Sequence, residues 1–338
     1  MVKKVKDLML LTNEKQVYYF SGFLTEDGFL LKGKDTTLFV DDRYYEEAVK
    51  TVKKGVIVKK LTSFNDIKEE VLRLDTKELL IDFETVSHSE AIKYQEFISI
   101  KDCSKELKET FLIKDKSEIE LIKKASSITE KAFYKSIKKI RKGITELKLK
   151  NIIENNLKKL GASGSSFDII VAFQENSAIP HHKVGDRKLG KNEVVLIDMG
   201  AVYKGYASDM TRTLFYGKPP IKFVSCYEAV KQANELAIKN ITLGMTAKDA
   251  DAIARNSLKE VYLDTYFTHS LGHGVGLNIH EAPTLSKKSE EVIKEDMVFT
   301  IEPGVYFEGE FGIRIEDTVV MQKSPKRLFT DDKKLIIK

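Results

Sequence analysis

Gly143-Ile144-Thr145 recurs as Gly244-Met245-Thr246, 101 residues further along the chain. At the same offset Ile152 matches Ile253, Asn155 matches Asn256 and Leu157 matches Leu258. Each triplet opens a stretch of helical periodicity, each helix leads into a β-like run (167–173 and 265–271), and histidines follow. They are His181 and His182 in the first copy, His273 and His280 in the second. Repeated units of this kind bury their apolar faces against one another. The second half of the chain is therefore expected to form a pseudo-twofold domain with functional groups at its seam.

Four acids in this half stand where strands place them. Asp198 ends the run Val-Val-Leu-Ile, Asp209 lies in Tyr-Ala-Ser-Asp-Met-Thr-Arg-Thr, Glu302 follows Met-Val-Phe-Thr-Ile, and Glu316 lies in Gly-Ile-Arg-Ile-Glu-Asp. The surrounding runs, 194–199 returning through 201–209 and 297–301 returning through 313–320, read as two strand pairs. Strands so apolar are covered by protein, and a buried carboxylate is costly without a cation. Arg212 and Arg314 are the two local basic residues. Two divalent ions would neutralise the four carboxylates, which points to a dinuclear, mainly oxygen-ligated site. Ligand type alone admits Mn²⁺, Co²⁺, Fe²⁺ or Zn²⁺.

An imidazole source is at hand in His269-Ser-Leu-Gly-His-Gly-Val-Gly-Leu-Asn-Ile-His-Glu281. Gly272, Gly274 and Gly276 surround His273, so the backbone there is free to take tight or positive-φ conformations. The spacing is not that of a zinc-protease helix, because no histidine lies four residues beyond His280-Glu281. Nor is Gly-His-Gly-Val-Gly a dinucleotide fingerprint.

The first part of the chain reads as alternating strands and helices. Strand-like runs are 8–11, 17–20, 28–31, 36–40, 56–58 and 79–83; helical ones are 43–50, 64–74 and 87–97. Ser117-Glu118-Ile119-Glu120 fits a capping box and opens a helix reaching about residue 140. The expected division is thus an α/β domain over 1–112 and a second domain over 113–338.

Composition narrows the partners. The 338 residues carry 56 Lys+Arg against 51 Asp+Glu, with the signs interleaved, so no basic face for nucleic acid is expected. No apolar run approaches membrane-spanning length, and no signal-peptide core follows Met1-Val-Lys-Lys-Val-Lys-Asp7. Cys103 and Cys226 lack any paired spacing, so free thiols in the cytoplasm are expected.

In order along the chain, Asp198, Asp209, His273, Glu302 and Glu316 resemble the five metal ligands of the pita-bread metallopeptidases, a family that includes methionine aminopeptidase, aminopeptidase P and prolidase. The 269–281 stretch resembles the proline-peptidase signature, and Ser-Asp-Met-Thr-Arg-Thr (208–213) and Ile-Glu-Pro-Gly (301–304) also match. Asp42-Arg43-Tyr44 is similar to a turn of the creatinase-type N-terminal domain. The resemblance implies an α+β pita-bread (creatinase/aminopeptidase-like) catalytic domain behind a smaller α/β creatinase-type domain. It implies two divalent ions, Mn²⁺ foremost. Asp198 would chelate one, His273 and Glu302 mainly the other, and Asp209 and Glu316 would bridge them. Glu302 would also move the nucleophile's proton, His181 would contact substrate, and His280 would stabilise the oxyanion. Arg314 would orient the carboxylates or form a structural ion pair, and His182 reads as a solvent-facing loop residue.

The implied reaction is hydrolysis of an Xaa-Pro bond beside a free N-terminus, by a homodimer whose N-terminal domain helps to wall the neighbouring site. Prolidases often carry an arginine just after the His-Glu-x-Pro segment, where this chain has Thr284. That favours an Xaa-Pro aminopeptidase acting on longer peptides, with an Xaa-Pro dipeptidase as the alternative. A general aminopeptidase of the methionine type is disfavoured by the N-terminal domain. A non-enzymatic scaffold on the same fold is the further alternative.

Overall fold

The computed structural model describes residues 8–330, so the stretch Met1–Asp7 lies outside the described residues. The chain divides into two compact units, Met1–Thr110 and Phe111–Lys338.

In the first unit, β1 (Met9–Leu11), α1 (Glu14–Ser21), β2 (Phe29–Lys32), β3 (Thr36–Val40), α2 (Asp42–Thr51), β4 (Val56–Lys60), α3 (Phe64–Arg73), β5 (Glu78–Ile81), α4 (His88–Gln95), β6 (Ser99–Asp102) and α5 (Ser104–Leu112) follow in order. The six strands form one mixed sheet, β4-β3-β2-β1-β5-β6, with a β2–β3 hairpin and parallel pairs at both edges. Leu10, Leu31, Phe39, Ile67, Val71, Leu79, Ile81 and Tyr94 fill its core. The 17–20 run is helical, not a strand. Asn13 caps it by accepting from the N–H groups of Lys15 and Gln16, and Gly22, at φ +76°, ends it. These caps outweigh the β propensity of Val-Tyr-Tyr-Phe.

The second unit begins with α6 (Lys116–Ile137), then α7 (Glu146–Lys159), β7 (Gly164–Ser165), β8 (Ile170–Phe173), a 3₁₀ turn (Gln174–Ala178), β9 (Glu193–Met199), β10 (Ala201–Tyr203), β11 (Tyr206–Ala207), β12 (Met210–Tyr216) and α8 (Ile221–Asn240). It continues with α9 (Ala247–Lys259), a 3₁₀ turn (Asp264–Tyr266), β13 (Gly272–Gly274), β14 (Glu281–Leu285), β15 (Val298–Ile301), β16 (Gly304–Phe307), β17 (Phe311–Arg314), β18 (Asp317–Met321) and β19 (Pro325–Arg327). The cap of α6 is Asp115, not Ser117. Its carboxylate accepts from the N–H of Ser117 and Glu118, and the buried Glu118 returns to the Asp115 N–H. Glu120 is left outside, paired with Lys123 at 2.7 Å.

The repeat is visible bond by bond. Gly143 and Gly244 take φ +82° and +84°, a conformation that suits glycine. Their N–H groups reach Leu189 O and Ile293 O at 2.8 and 2.9 Å. Thr145 and Thr246 then cap α7 and α9 through the N–H of Lys148 and Asp249. Each copy continues into antiparallel strands, β8-β9-β12 in the first and β13-β15-β18 in the second. Two cores lie beneath, one led by Ile153, Leu157, Phe173, Val195 and Ile197, the other by Val230, Ala254, Leu258, Phe299 and Ile301.

Three expected strands differ. The partner of β9 is β12, beyond the small β10–β11 hairpin that occupies 201–207. The 313–320 run breaks at Ile315-Glu316, with β17 pairing β16 and β18 pairing β15. Residues 265–271 form no strand, because their backbone groups are shared between the 3₁₀ turn and side chains of α9, and only Leu271 bonds to neighbouring strands. Arg255 donates to Phe267 O at 2.8 Å and His269 O at 3.0 Å, and the Leu271 N–H donates to Asp251 at 3.1 Å. Among the described residues no helix is long and apolar enough to cross a membrane.

Candidate metal centre and active site

Each repeat delivers two acids by the same device: one at the end of a strand, one just before its antiparallel partner. Asp198 lies near the end of β9 and Asp209 immediately precedes β12; Glu302 follows β15 and Glu316 immediately precedes β18. The seam joins the two pairs. The Glu316 N–H donates to Thr211 O at 3.2 Å, and the Thr318 hydroxyl donates to Asp209 O at 2.8 Å. This brings ligand atoms of Asp209, His273 and Glu316 within 4.8 Å of one another. His273 Nε2 lies 3.5 Å from Asp209 Oδ2 and 3.4 Å from Glu302 Oε1.

The glycines around His273 serve proximity, not positive φ. A Cβ on Gly272 would stand 2.0 Å from Thr300 O, and one on Gly274 2.0 Å from Ala282 O. The flanking strands could not close on a larger residue. Held there, His273 has a defined tautomer. Its Nδ1 lies 3.1 Å from Gly274 O, so Nδ1 carries the proton and Nε2 presents a lone pair to the acids. Burial lowers its pKa and keeps the ring neutral.

Burial raises the carboxyl of Glu302 to about 8, against the opposing pull of Arg314 and with the charge of Asp198 adding to the rise. Burial and then the neighbouring acids also raise Asp209 and Glu316 well above the usual carboxylate range. Three buried oxygens of the cluster, Asp198 Oδ1, Asp209 Oδ1 and Glu316 Oε1, have no protein partner. Oxygen donors left over in a cluster this acidic, beside an imidazole lone pair, fit divalent cations.

Arg314 holds the arrangement from behind. Its Nη2 donates to Asp198 at 2.6 Å, its Nε to the Thr211 hydroxyl at 3.1 Å, and its Nη1 to the Tyr306 hydroxyl at 2.8 Å. Thr211 passes its own proton to Glu316 at 2.6 Å. Burial opposes the charge on Arg314, and the surrounding Tyr306, Asp198 and Glu302 more than offset it. The directions continue outward. His269 Nδ1 donates to Ser270 O at 2.8 Å, so the Tyr306 hydroxyl donates to His269 Nε2, also at 2.8 Å. Burial and the charge of Arg314 bring the His269 pKa down to about 3.

All five expected ligands converge, as do Arg314 and His280. The His280 ring lies 4.4 Å from that of His273, edge to face, and burial lowers its pKa. His181 stands on the segment after the first 3₁₀ turn, directly after Pro180, whose carbonyl oxygen accepts from Arg314 Nη1 at 3.4 Å. Of the two local arginines, Arg212 forms its ion pair outside the four acids, with Asp317 at 2.9 Å. One expectation fails. His182 is no solvent-facing residue, for its Nε2 meets the fully buried Glu146 at 2.9 Å. Four residues of the site fall outside the expected set: Thr211, Tyr306, His269 and Thr300, whose hydroxyl accepts from the His273 N–H at 3.0 Å and donates to Glu302 at 3.1 Å. Strand alternation could have found two of them, because Thr211 and Thr300 lie two residues from Asp209 and Glu302. Tyr306 has no local signal.

A buried carboxylate cluster with a neutral histidine, on a pseudo-twofold α+β frame, defines a hydrolytic metal centre. Metallopeptidase family M24 matches residues 120–323, and the creatinase/prolidase N-terminal domain matches residues 1–110. The chain belongs to this family: it is a metallopeptidase of the pita-bread fold, and membership implies divalent metal ions. It is 39% identical over 336 residues to an Xaa-Pro dipeptidase of Pyrococcus furiosus, covering 98% of this chain and 95% of that one. An Xaa-Pro dipeptidase structure from Bacillus anthracis superposes with a TM-score of 0.94 at 35% identity, covering 98% of this chain and 95% of that one. An X-Pro aminopeptidase structure from Thermotoga maritima superposes with a TM-score of 0.93 at 34% identity, covering 98% and 97%.

Proposed function

We propose that this chain hydrolyses Xaa-Pro dipeptides with two divalent ions held by Asp198, Asp209, His273, Glu302 and Glu316. The observation that carries it is the convergence of three partnerless carboxylate oxygens on the seam beside the His273 lone pair. Mn²⁺ is the first choice, with Co²⁺, Fe²⁺ and Zn²⁺ compatible with the donors. Such ions, when bound, polarise a scissile carbonyl and make water a nucleophile near neutral pH.

The protein's own groups do the rest. Glu302 takes the proton of the attacking water and returns one to the leaving prolyl nitrogen. Neutral His280 donates a hydrogen bond to the oxygen on which charge develops. His181 contacts the substrate. Arg314 fixes Asp198 and, through Thr211, Glu316. A prolyl nitrogen in a peptide bond has no N–H, so selectivity comes from the shape of the pocket. A homodimer accompanies this reading.

Thr284, in place of an arginine, favoured longer substrates. The Pyrococcus and Bacillus relatives, both Xaa-Pro dipeptidases, outweigh that single position and favour the dipeptide. An Xaa-Pro aminopeptidase is the second reading, supported by Thr284 and by the Thermotoga relative. Kinetics on Ala-Pro against Ala-Pro-Ala decide between them. The dipeptidase reading expects cleavage of Ala-Pro alone. Faster turnover of the tripeptide would reverse it, and cleavage of neither would remove both.

A further inference from the structure

The two repeats differ at one position where the frame tolerates either residue. After the capping threonine, the first copy has Glu146 and the second has Ala247. The backbone is the same, since their N–H groups donate to Arg187 O at 3.1 Å and Glu291 O at 2.8 Å. Ala247 shows that this helix start is built without a carboxylate. Yet Glu146 is fully buried.

Its two oxygens are filled by four donors. Oε1 accepts from the Phe173 N–H at 2.8 Å and Asn176 Nδ2 at 2.9 Å. Oε2 accepts from His182 Nε2 at 2.9 Å and the Gly185 N–H at 3.3 Å. All four lie in 173–185, the segment that carries His181. That segment begins with Gln174 at φ +44°, which is unfavourable for a residue with a side chain. It also rests on β17: the Gly312 N–H donates to the Ser177 hydroxyl at 2.8 Å, two residues before Arg314.

We propose that Glu146 and His182 are positioning residues for substrate binding. They clamp the segment so that His181 faces the centre, while its neighbour His182 anchors to the frame. A buried carboxylate is retained only where donors satisfy it, and here every donor belongs to this segment. The inference rests on His181 as the substrate-contacting residue proposed above.

The test compares His182→Leu and His182→Gln in the metal-loaded enzyme, with His181→Ala as the reference. Glutamine places an amide nitrogen at the reach of His182 Nε2; leucine places none. Steady-state kinetics on Ala-Pro and bound-metal content are measured for each. His182→Leu is expected to raise KM on the order of 10-fold, as displacement of a positioned group does, with kcat and metal content little changed. His182→Gln is expected to restore KM. An unchanged KM in His182→Leu beside a raised KM in His181→Ala overturns the clamp alone. Equal damage by leucine and glutamine, or loss of metal, also overturns it. An unchanged KM in His181→Ala overturns the clamp together with the role of His181.

Discussion

Stripping the metal should make the protein lose stability as pH rises, and Asp209→Asn should relieve that loss. Asp209, Glu302 and Glu316 have folded pKa values raised by burial and mutual repulsion, with Glu302 at about 8. Their unfolded values are those of ordinary carboxyls, near 4. These three carboxyls therefore bind more protons in the metal-free fold than in the unfolded chain across that window, while the buried His269, His273 and His280, with lowered pKa values, pull the other way below about pH 7. The carboxyls' contribution to stability is fully present below the unfolded pKa and falls as pH rises toward the folded one. Each extra proton is worth about 1.4 kcal/mol per pH unit. Between pH 7 and pH 8 a single carboxyl thus accounts for at most about 1.4 kcal/mol of lost stability, and the cluster shares its titration among members.

Urea midpoints of metal-free and Mn²⁺-saturated protein, taken from pH 7 to pH 8, above the range in which the buried histidines titrate, measure the effect. The metal-free midpoint should fall with pH and the Mn²⁺-saturated one should not. Metal-free Asp209→Asn should exceed metal-free wild type at pH 8, because one buried charge is gone, while its peptidase activity is almost abolished. A metal-free wild type as stable at pH 8 as at pH 7 would refute the argument, since the three carboxyls would then be compensated by the fold itself.

Arg314→Lys keeps the charge but cannot bond Asp198, Thr211 and Tyr306 together, so kcat should fall roughly 10- to 100-fold with an unchanged circular dichroism spectrum. Lys114 is buried against Glu281, the residue after His280, so Lys114→Met should destabilise the protein by about 3 kcal/mol in urea unfolding. Adding Glu281→Gln should recover part of that loss. Thr145→Ala and Thr246→Ala remove equivalent caps and should each cost about 1 kcal/mol; a difference of several-fold between them would count against equivalent repeats.

Local chemistry made much of this protein legible in one dimension. The glycine-threonine starts of α7 and α9 depend on φ and on a side chain reaching its own helix, so they could be read from residues a few positions apart. The same holds for the strand runs 28–31 and 36–40, which became β2 and β3. The acids were legible because a carboxylate at the end of an apolar strand needs a partner wherever that strand goes. Where local signals competed, the reading failed. Asn13 and Gly22 turned a β-like run into α1, and Asp115 displaced Ser117 as a cap because the better-buried glutamate was Glu118.

What packing alone decided are the contacts between residues about a hundred positions apart. Thr211 bonds Glu316 and Arg314 bonds Asp198 only because the repeats meet at a seam, and nothing near Tyr306 or Glu146 in sequence announces their partners. The identities of the acids are a property of the chain. Their raised pKa values, the lone pair on His273 and the anchoring of His182 arise only when burial removes water and leaves each group to its neighbours.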